Sequence, residues 1–195
     1  MLQVDRIVNS IFDSITWLLS VMESNQVWLV DCGDIAPIAE KVKGKKVAGV
    51  LLTHAHFDHI YGLPELIKHF PECKVYTNEA GQKALADARQ NMSLYHESPI
   101  IIKGEPVIIC HEDDIIDIFP NLSAQVYETP GHHPSCLTYI IGEYLFTGDS
   151  YIPNNKVVTN LPGGNKVLAN ASESRIKNML PGHYLCAGHS FTDKA

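Results

Sequence analysis

The sequence predicts an α/β protein with two β-sheets packed face to face and helices on their outer faces, a four-layered αββα sandwich. A hairpin pattern begins the chain, helical and strand patterns alternate in its middle, and strand patterns dominate from residue 99 onward. Helices outside two sheets let every element bury its apolar face. No repeat or Pro/Gly-rich linker divides the 195 residues, so we expect residues 1–195 to form a single domain.

The first half of the chain contains the hairpin and the alternating elements. Two runs rich in β-branched and aromatic residues, 15–22 and 27–30, flank a polar turn. Apolar residues then recur at helical spacing over residues 35–43. Residues 47–52 form a nearly unbroken apolar run, as expected of a strand buried on both faces. The next predicted elements are a helix over 63–70, a strand over 74–77 and a helix from 79 to about 92.

The second half is predicted to be mostly β-structure with one more helix. Short apolar and β-branched runs predict strands at 107–110, 115–118, 124–129, 137–141 and 144–147. An amphipathic pattern predicts a last helix over 172–180. A Pro-Gly turn separates this helix from a strand at 184–187.

The composition is that of an ordinary globular protein and argues against nucleic acid as a partner. Hydrophobic residues make up 45% and charged residues 19% of the chain, which excludes a disordered or coiled-coil class. Lys and Arg number 15 against 22 Asp and Glu, a formal net charge of −7. Because phosphate binding needs clustered positive charge, we expect a small-molecule substrate instead.

The sequence predicts neither a membrane segment nor an export signal. The first residues lack the basic and apolar stretches of a signal peptide, and the longest apolar run is far shorter than the roughly 20 residues of a transmembrane helix. The five cysteines are widely spaced and form no CxxC pair, so we expect no disulfide framework. These features favour a reducing cytoplasm.

Histidine is the unusual residue of this chain, with ten copies, several of them in tight groups. The segment from Thr53 to His59 follows directly on the predicted strand at 47–52. In an extended chain His54, His56 and Asp58 can point to one side, while His59 enters the next helix. Imidazoles and a carboxylate packed this densely are ligands for zinc, iron or manganese. Loops after buried strands are also where α/β proteins build sites, so a metal site is predicted here.

Five motifs along the chain together carry a family resemblance. The first is His54-Ala55-His56-Phe57-Asp58-His59, an HxHxDH pattern. The other four, in chain order around it, are Asp31-Cys32-Gly33, Thr129-Pro130-Gly131-His132, Gly148-Asp149-Ser150 and Ala187-Gly188-His189. In kind and order these motifs resemble those of the metallo-β-lactamase superfamily, from about residue 15 to residue 190. The resemblance implies the αββα metallo-β-lactamase fold.

The resemblance also implies a dinuclear metal centre. Its seven ligands would fall into two sets with a bridge: His54, His56 and His132 for one ion, Asp58, His59 and His189 for the other, and Asp149 between them. The implied cofactors are two divalent ions, zinc first, with iron or manganese accepted by the same donors. Two such ions lower the pKa of a shared water towards ~7, and the resulting hydroxide would attack the substrate. Asp58 would accept the proton of the water or donate one to the leaving group.

Two of these assignments have neighbouring competitors. His133 adjoins His132, and composition alone allows either as a ligand; the Thr-Pro-Gly-His register favours His132 and leaves His133 as a supporting or substrate-facing residue. His183 follows a Pro-Gly pair that imitates the family's last motif. In the family the last histidine follows a strand that itself follows a helix, which selects His189 and makes His183 a turn residue.

The reaction is expected to be hydrolysis of a small ester, thioester or related substrate. The stretch from Asp149 through the Pro-Gly-Gly loop at 162–164 resembles the glyoxalase II branch, whose enzymes hydrolyse hydroxyacylglutathione thioesters. Those enzymes carry an additional C-terminal helical domain that helps to bind glutathione, whereas this sequence stops shortly after His189. Two alternatives are a persulfide dioxygenase-like oxidoreductase with a single iron and a non-catalytic metal-binding module.

The remaining polar residues receive structural interpretations. Three isolated histidines are expected at the surface or as satisfied core residues: His69, His96 and His111. Residues 112–114, Glu-Asp-Asp, are expected to form a solvated turn, and the cysteines near the motifs are expected to be small buried hydrophobes, namely Cys32, Cys136 and Cys186. By the resemblance, Asp31 would support the site through hydrogen bonds without binding a metal.

Overall fold

The computed structural model describes residues 1–96, 98–104 and 106–191. Within these ranges the strands form two sheets, with helices against the outer faces, which confirms the predicted αββα sandwich. The helices are α1 (Ile35–Val42), α2 (Phe57–Ile60), α3 (Leu63–His69), α4 (Glu79–Leu85) and α5 (Lys166–Met179). None of the helices described is long and apolar enough to cross a lipid bilayer.

The first sheet changes from antiparallel to parallel pairing at its third strand. Its strands follow in chain order: β1 (Leu2–Val8), β2 (Ile15–Val21), β3 (Gln26–Val30), β4 (Lys46–Leu51), β5 (Lys74–Thr77) and β6 (Val107–Ile109). The pairs β1–β2 and β2–β3 are antiparallel, and the pairs from β3 to β6 are parallel. The carboxyl ends of β3, β4 and β5 therefore meet at one edge, where α/β sheets build sites.

The second sheet is antiparallel except at its final pair. Its strands are β7 (Ile115–Phe119), β8 (Leu122–Glu128), β9 (Leu137–Ile141), β10 (Tyr144–Gly148) and β11 (Tyr184–Ala187), in the spatial order β11-β10-β9-β8-β7. Strands β10 and β11 are parallel, with a register shift between Phe146 and Gly148. Their carboxyl ends therefore lie side by side.

The hydrophobic residues form two buried clusters on opposite faces of the first sheet. Leu18, Leu29 and Val50 pack with the residues of α1 and α3 beneath the helices. Leu19 and Leu51, one position away in β2 and β4, pack against the second sheet. Successive side chains of a strand point to opposite faces, so the strands are buried from both sides. This explains why β4 reads as an unbroken apolar run.

Two helix boundaries differ from the sequence prediction by several residues, other boundaries differ by one or two, and one strand was not predicted. The helix expected from 79 to about 92 ends at Leu85, where the Asn91 side chain and the Asp87 N–H donate to the Ala84 carbonyl in place of the next helical bond. Helix α5 begins at Lys166 instead of 172, because Asn165 caps it by accepting from the backbone N–H groups of Val167 and Leu168. Strand β1 was not predicted, since most of its residues are partly exposed at the sheet edge.

Candidate metal centre

The segment after β4 presents two histidines and then turns into a short helix. The rings of His54 and His56 lie 4.8 Å apart between centroids, in the irregular segment before α2. The expected alternation thus holds for this pair, but Asp58 lies in the first turn of α2 and not on an extended chain. Its carboxylate lies 3.4 Å from Nε2 of His59, so it belongs with a different group of donors.

The other three donors come from the second sheet. His132 lies in the connection between β8 and β9, Asp149 follows β10, and His189 follows β11. Gly148 adopts a positive φ of 51°, and a Cβ there would collide with the Thr53 side chain, so the bulge that directs Asp149 requires glycine. Because β10 and β11 are parallel, Asp149 and His189 emerge at the same edge.

The seven side chains converge in overlapping sets. Within each set the donor atoms lie within 4.8 Å of one another; the sets are His54, His56 and His132; His54, His59 and Asp149; and Asp58, His59 and His189. Nδ1 of His56 lies 2.9 Å from Nε2 of His132, and Nε2 of His59 lies 3.3 Å from Nε2 of His189. The structure thus brings together every residue that the resemblance implied as a ligand.

Asp149 lies between the first and the last of these sets. Its Oδ1 lies 3.5 Å from Nε2 of His59, and its Oδ2 lies 3.6 Å from Nε2 of His132. Oδ2 is also 3.4 Å from Nε2 of His189. One carboxylate therefore faces histidines from both groups, which is the geometry a bridging ligand needs.

Hydrogen bonds outside the cluster orient three of the histidines. Each donates through Nδ1 at 2.9 Å: His59 to Asp31, His132 to the Val158 carbonyl and His189 to the Phe12 carbonyl. A donating Nδ1 leaves Nε2 with a free lone pair directed inward, as metal-binding histidines require. The backbone carbonyls of two loops thus set the orientation of two of these rings.

Asp31 supports the cluster by hydrogen bonding, as the resemblance implies. It is buried and accepts from the backbone N–H and the hydroxyl of Thr53 at 2.7 Å each, besides the bond from His59. Its backbone adopts the left-handed region, with φ of 59°. This residue therefore joins the end of β3 to the segment after β4.

The buried polar atoms of the cluster fit a bound cation. Among the residues that the structure describes, Nε2 of His54 and Oδ1 of Asp149 are buried without a hydrogen-bond partner. A buried polar atom left unpaired costs about 1–3 kcal/mol, a penalty that coordination to a cation removes. Imidazole nitrogens with carboxylate oxygens are donors that suit zinc, iron and manganese.

Burial keeps two histidines of the first set, His54 and His56, neutral. Burial, with the nearby His132, lowers the pKa of His56 to about 3. Burial, with the nearby His59, also lowers the pKa of His54 well below its ordinary value. Neutral rings have the lone pairs that metal coordination requires.

Carboxylates have the opposite effect in the set of Asp58, His59 and His189. Burial alone would lower the pKa of His59, but the charges of Asp58 and Asp31 raise it to about 9. Against burial, hydrogen bonds to Asp149 and Asp58 raise the pKa of His189 to about 11. A positive charge is therefore strongly favoured at this position, whether from protons or from a metal ion.

Neither competing histidine joins these sets. His133 is buried, and its Nδ1 lies 2.6 Å from the Ser135 hydroxyl. Its ring lies 4.8 Å from that of His56, so it contacts a member of the cluster without joining a donor set. His183 donates to the Met179 carbonyl at 2.7 Å in the turn after α5, as predicted. The order of elements therefore distinguishes His189 from His183.

The residues for which the sequence predicts structural roles largely have those roles in the structure. All five cysteines are free and buried, and burial raises the pKa of the Cys136 thiol to about 12, which makes it a poor nucleophile. Residues 112–114 form the expected turn, with Glu112 paired to Arg175. His69 lies at the surface and donates to the Glu65 carbonyl, and His111 is exposed.

His96 is the site residue that the sequence prediction missed. Its ring stacks on Phe57 with centroids 3.7 Å apart, and the exposed ring of Phe12 contacts it edge-on at 6.3 Å. Together they cover a cavity of about 240 Å³ directly over the metal-site residues. We name it the apolar pocket; its upper walls are Phe12, Phe57, Met92, His96, Val158 and Leu161. No motif marks His96 in the sequence, because the fold alone brings it to Phe57.

The comparisons with known proteins agree on one family. The model of the metallo-beta-lactamase superfamily matches residues 16–189. Hydroxyacylglutathione hydrolase of Hamiltonella defensa is 27% identical over 89% of this chain, and that of Xylella fastidiosa strain M12 is 30% identical over 89%. The chain spans 66% and 63% of the lengths of these two relatives.

Solved structures show the same fold. The BLEG-1 B3 metallo-beta-lactamase superposes with a TM-score of 0.82 at 23% identity, covering 97% of this chain and 92% of that one. TTHA1623, solved in a di-iron-bound form, superposes with a TM-score of 0.79 at 23% identity, covering 96% and 93%. These similarities extend over nearly all of the two-sheet core.

Proposed function

Because the chain belongs to the metallo-β-lactamase superfamily, we propose that it is a metal-dependent hydrolase of the glyoxalase II-like kind, cleaving a small ester, thioester or related substrate. The convergence of the seven donors at the edges of both sheets carries this proposal. The relatives named hydroxyacylglutathione hydrolase support the thioester class. A cavity of about 240 Å³ beside the donors suits a small molecule.

We propose two divalent metal ions as cofactors, with zinc as the first candidate. His54, His56 and His132 would hold one ion, Asp58, His59 and His189 the other, and Asp149 would bridge them. When bound, the ions supply Lewis acidity and a nucleophile, since they lower the pKa of water to about 7. The donor types also accept iron or manganese.

Asp58 is the proposed proton-transfer residue. Burial alone would raise the pKa of Asp58, but the charge of His59 and a hydrogen bond from His189 lower it, so the group is ionised at neutral pH. Its carboxylate lies at the floor of the apolar pocket, within reach of the reacting atoms of a bound substrate. An ionised carboxylate there can accept a proton from water and return it to the leaving group.

The supporting residues hold these groups in place. Asp31 orients His59, while the carbonyls of Val158 and Phe12 orient His132 and His189. Phe57 and His96 form a stacked aromatic wall beside the reacting groups and exclude water from one side. Fixed donors in a partly dry cavity stabilise developing charge without reorganisation.

Elemental mass spectrometry of the purified native protein, with thioester and ester hydrolysis assayed on the same sample, tests the proposal. We expect about two divalent ions per chain and hydrolysis that a chelator abolishes and added metal restores. One iron per chain with oxygen uptake on a persulfide would place the protein among mono-iron oxidoreductases instead. Bound metal without turnover of any thioester or ester would indicate a non-catalytic module.

A further inference from the structure

Two clefts of different chemistry open from the same edge of the metal centre. His132, Asp149 and His189 line both of them, and Val158 separates them. One is the apolar pocket. The other, about 360 Å³, is lined by Asn155, Lys156 and Ser190 as well as the apolar Ile152 and Val157, and we name it the polar cleft. A substrate whose scissile bond lies over the metal centre therefore extends one substituent into each.

Among the residues described, His96 is the one ionisable side chain that lines the apolar pocket besides the metal-site residues. Aromatic and aliphatic side chains form its upper walls, and its rim includes the exposed side chains of Phe12 and Val158, 67% and 47% accessible. A carboxylate or ammonium of the substrate placed there would lose part of its hydration against mostly aromatic and aliphatic side chains. Drug-sized ligands occupy cavities of roughly 300–1,000 Å³, so this one fits a single short substituent.

The residues of the polar cleft indicate which half of the substrate lies in the polar cleft and which half lies in the apolar pocket. The exposed residue Lys156 lines this cleft, and among the described residues no carboxylate lies within ion-pair distance of its ammonium. When an acyl bond is cleaved, the departing oxygen or sulfur gains negative charge and the acyl substituent gains none. The leaving group therefore belongs beside Lys156, and the acyl substituent belongs in the apolar pocket.

We propose that the substrate is an ester or thioester of a short, uncharged, apolar acid whose acyl chain occupies the apolar pocket. This rests on the proposed hydrolase function and specifies its substrate class. The C–O or C–S bond of the substrate breaks, water supplies OH to the acyl carbon, and its remaining proton goes to the leaving group. No oxidant or further co-reactant is needed.

Hydrolysis of three 4-nitrophenyl esters by the metal-loaded full chain tests the acyl preference. The acids are acetic, butanoic and succinic, the last as a half-ester with the same four carbons and a terminal carboxylate. Each buried methylene adds about fourfold, so kcat/KM for the butanoate should exceed that for the acetate by at least roughly tenfold. The succinate half-ester should fall at least roughly tenfold below the butanoate. Equal values for all three would overturn the proposal.

Substitutions at Val158 locate the preference in the pocket. Val158→Lys places an ammonium in it and should reduce the butanoate advantage below about threefold while improving the succinate half-ester. Val158→Ser should lose the advantage without improving the half-ester. Val167→Lys, a matched change at an exposed valine of α5 outside the pocket, should keep the wild-type ratios. The Val158 carbonyl that orients His132 is retained throughout, and metal analysis of each variant verifies the centre.

Binding of the product acids separates the pocket assignment from the hydrolase function. Calorimetric titration of acetate and butanoate into the metal-loaded chain should show butanoate binding at least roughly tenfold more tightly, and Val158→Lys should abolish the difference. Chain-length-dependent binding without ester hydrolysis would reject the function and keep the pocket assignment. Hydrolysis that improves only when the alcohol side is lengthened would reject the assignment and keep the function.

Discussion

Asp149 faces histidines of two donor sets, and His56 lies within 2.9 Å of His132. We expect His56→Ala and Asp149→Ala each to lower kcat/KM at least roughly 100-fold and to reduce metal content, since even outer residues of metal sites are worth 10–100-fold. His183→Ala, which changes a turn histidine outside the cluster, is the control and should retain activity and metal. Full activity in both cluster variants would contradict the proposed metal chemistry.

A substitution of Asp31 tests the contribution of a supporting hydrogen bond without removing a proposed metal ligand. Asp31→Asn preserves size but removes the charge that holds Nδ1 of His59, and its amide has one acceptor oxygen for three donors. We expect metal affinity to fall roughly 10- to 100-fold, measured by competition with a chelator of known affinity. Asp117→Asn, the same change at an exposed residue of β7 that accepts from Ser123, should leave affinity unchanged. An unchanged affinity in Asp31→Asn would mean that the charge of Asp31 does not contribute to holding His59 for the metal.

The predictability of a site residue depends on how local its signal is. His54, His56, Asp58 and His59 lie in one segment, and their crowding after an apolar strand indicates metal chemistry directly. His132, Asp149 and His189 required the order of motifs along the chain. His96 had no signal of either kind, since its role comes from stacking on Phe57 after folding. Compact motifs are therefore predictable, whereas pocket walls assembled from distant segments are not.

At the scale of elements, the loop between β1 and β2 carries both Phe12 of the apolar pocket and the carbonyl that orients His189. Asp34, just before α1, holds this loop by accepting from the Ser10 backbone N–H at 2.7 Å and its hydroxyl at 2.9 Å. Tyr61 donates to the same carboxylate at 2.7 Å. One partly exposed carboxylate therefore contributes to the position of the loop, together with the bonds from Asn9 and Ser14.

This dependence predicts a pH-sensitive contribution to stability. Partial burial raises the pKa of Asp34, but hydrogen bonds from Tyr61 and Ser10 outweigh it and lower the folded-state pKa. The stabilisation is therefore complete above the unfolded pKa of about 4 and is lost as the pH falls through the lower folded value. Asp34→Asn should lower the free energy of unfolding by about 1 kcal/mol at pH 7.

Urea unfolding at pH 7 and pH 3 measures this contribution. The difference between wild type and Asp34→Asn should shrink at the lower pH, where the wild-type carboxyl also loses its charge. Tyr61→Phe, which removes one donor and keeps the carboxylate, should have a smaller effect at pH 7. A difference that is the same at both pH values would show that the charge of Asp34 contributes nothing.

The elements were predicted correctly where burial is one-sided or complete. The prediction failed where single polar side chains determine the residue at which a helix begins or ends. Strands β5, β9 and β11 have the predicted bounds because apolar runs define them. The premature end of α4 depends on Asn91, and the early start of α5 depends on Asn165, both through side-chain bonds to the backbone. The spacing of apolar residues does not predict such bonds, because they involve single residues outside the apolar pattern.

At the scale of the whole molecule, the proposed centre would connect the two sheets. Four of its donors follow β4 of the first sheet, and three lie at ends of strands of the second. Ligand binding to the folded state stabilises it by about 2.7 kcal/mol at 100 times the dissociation constant. For a domain of this size we expect zinc to raise Tm by roughly 5–10 °C.

Differential scanning calorimetry of the chelated protein with and without added zinc measures this effect. Asp149→Ala, which lacks the residue between the two sets, should show less than about half of the shift at the same zinc concentration. An equal shift in wild type and variant would mean that zinc binds elsewhere. Calcium at the same concentration should leave Tm unchanged, because it prefers sites built entirely from oxygen ligands.

The separation of His59 and His189, 130 positions apart in the chain, also affects the order of events during synthesis. A ribosome adding roughly 5–20 residues per second makes His59 on the order of ten seconds before His189 emerges. During that interval the nascent chain has the HxHxDH segment but neither β11 nor its histidine. Complete metal binding by the proposed centre would therefore follow emergence of the β11 segment from the exit tunnel, and its onset would report when the second sheet has joined the first.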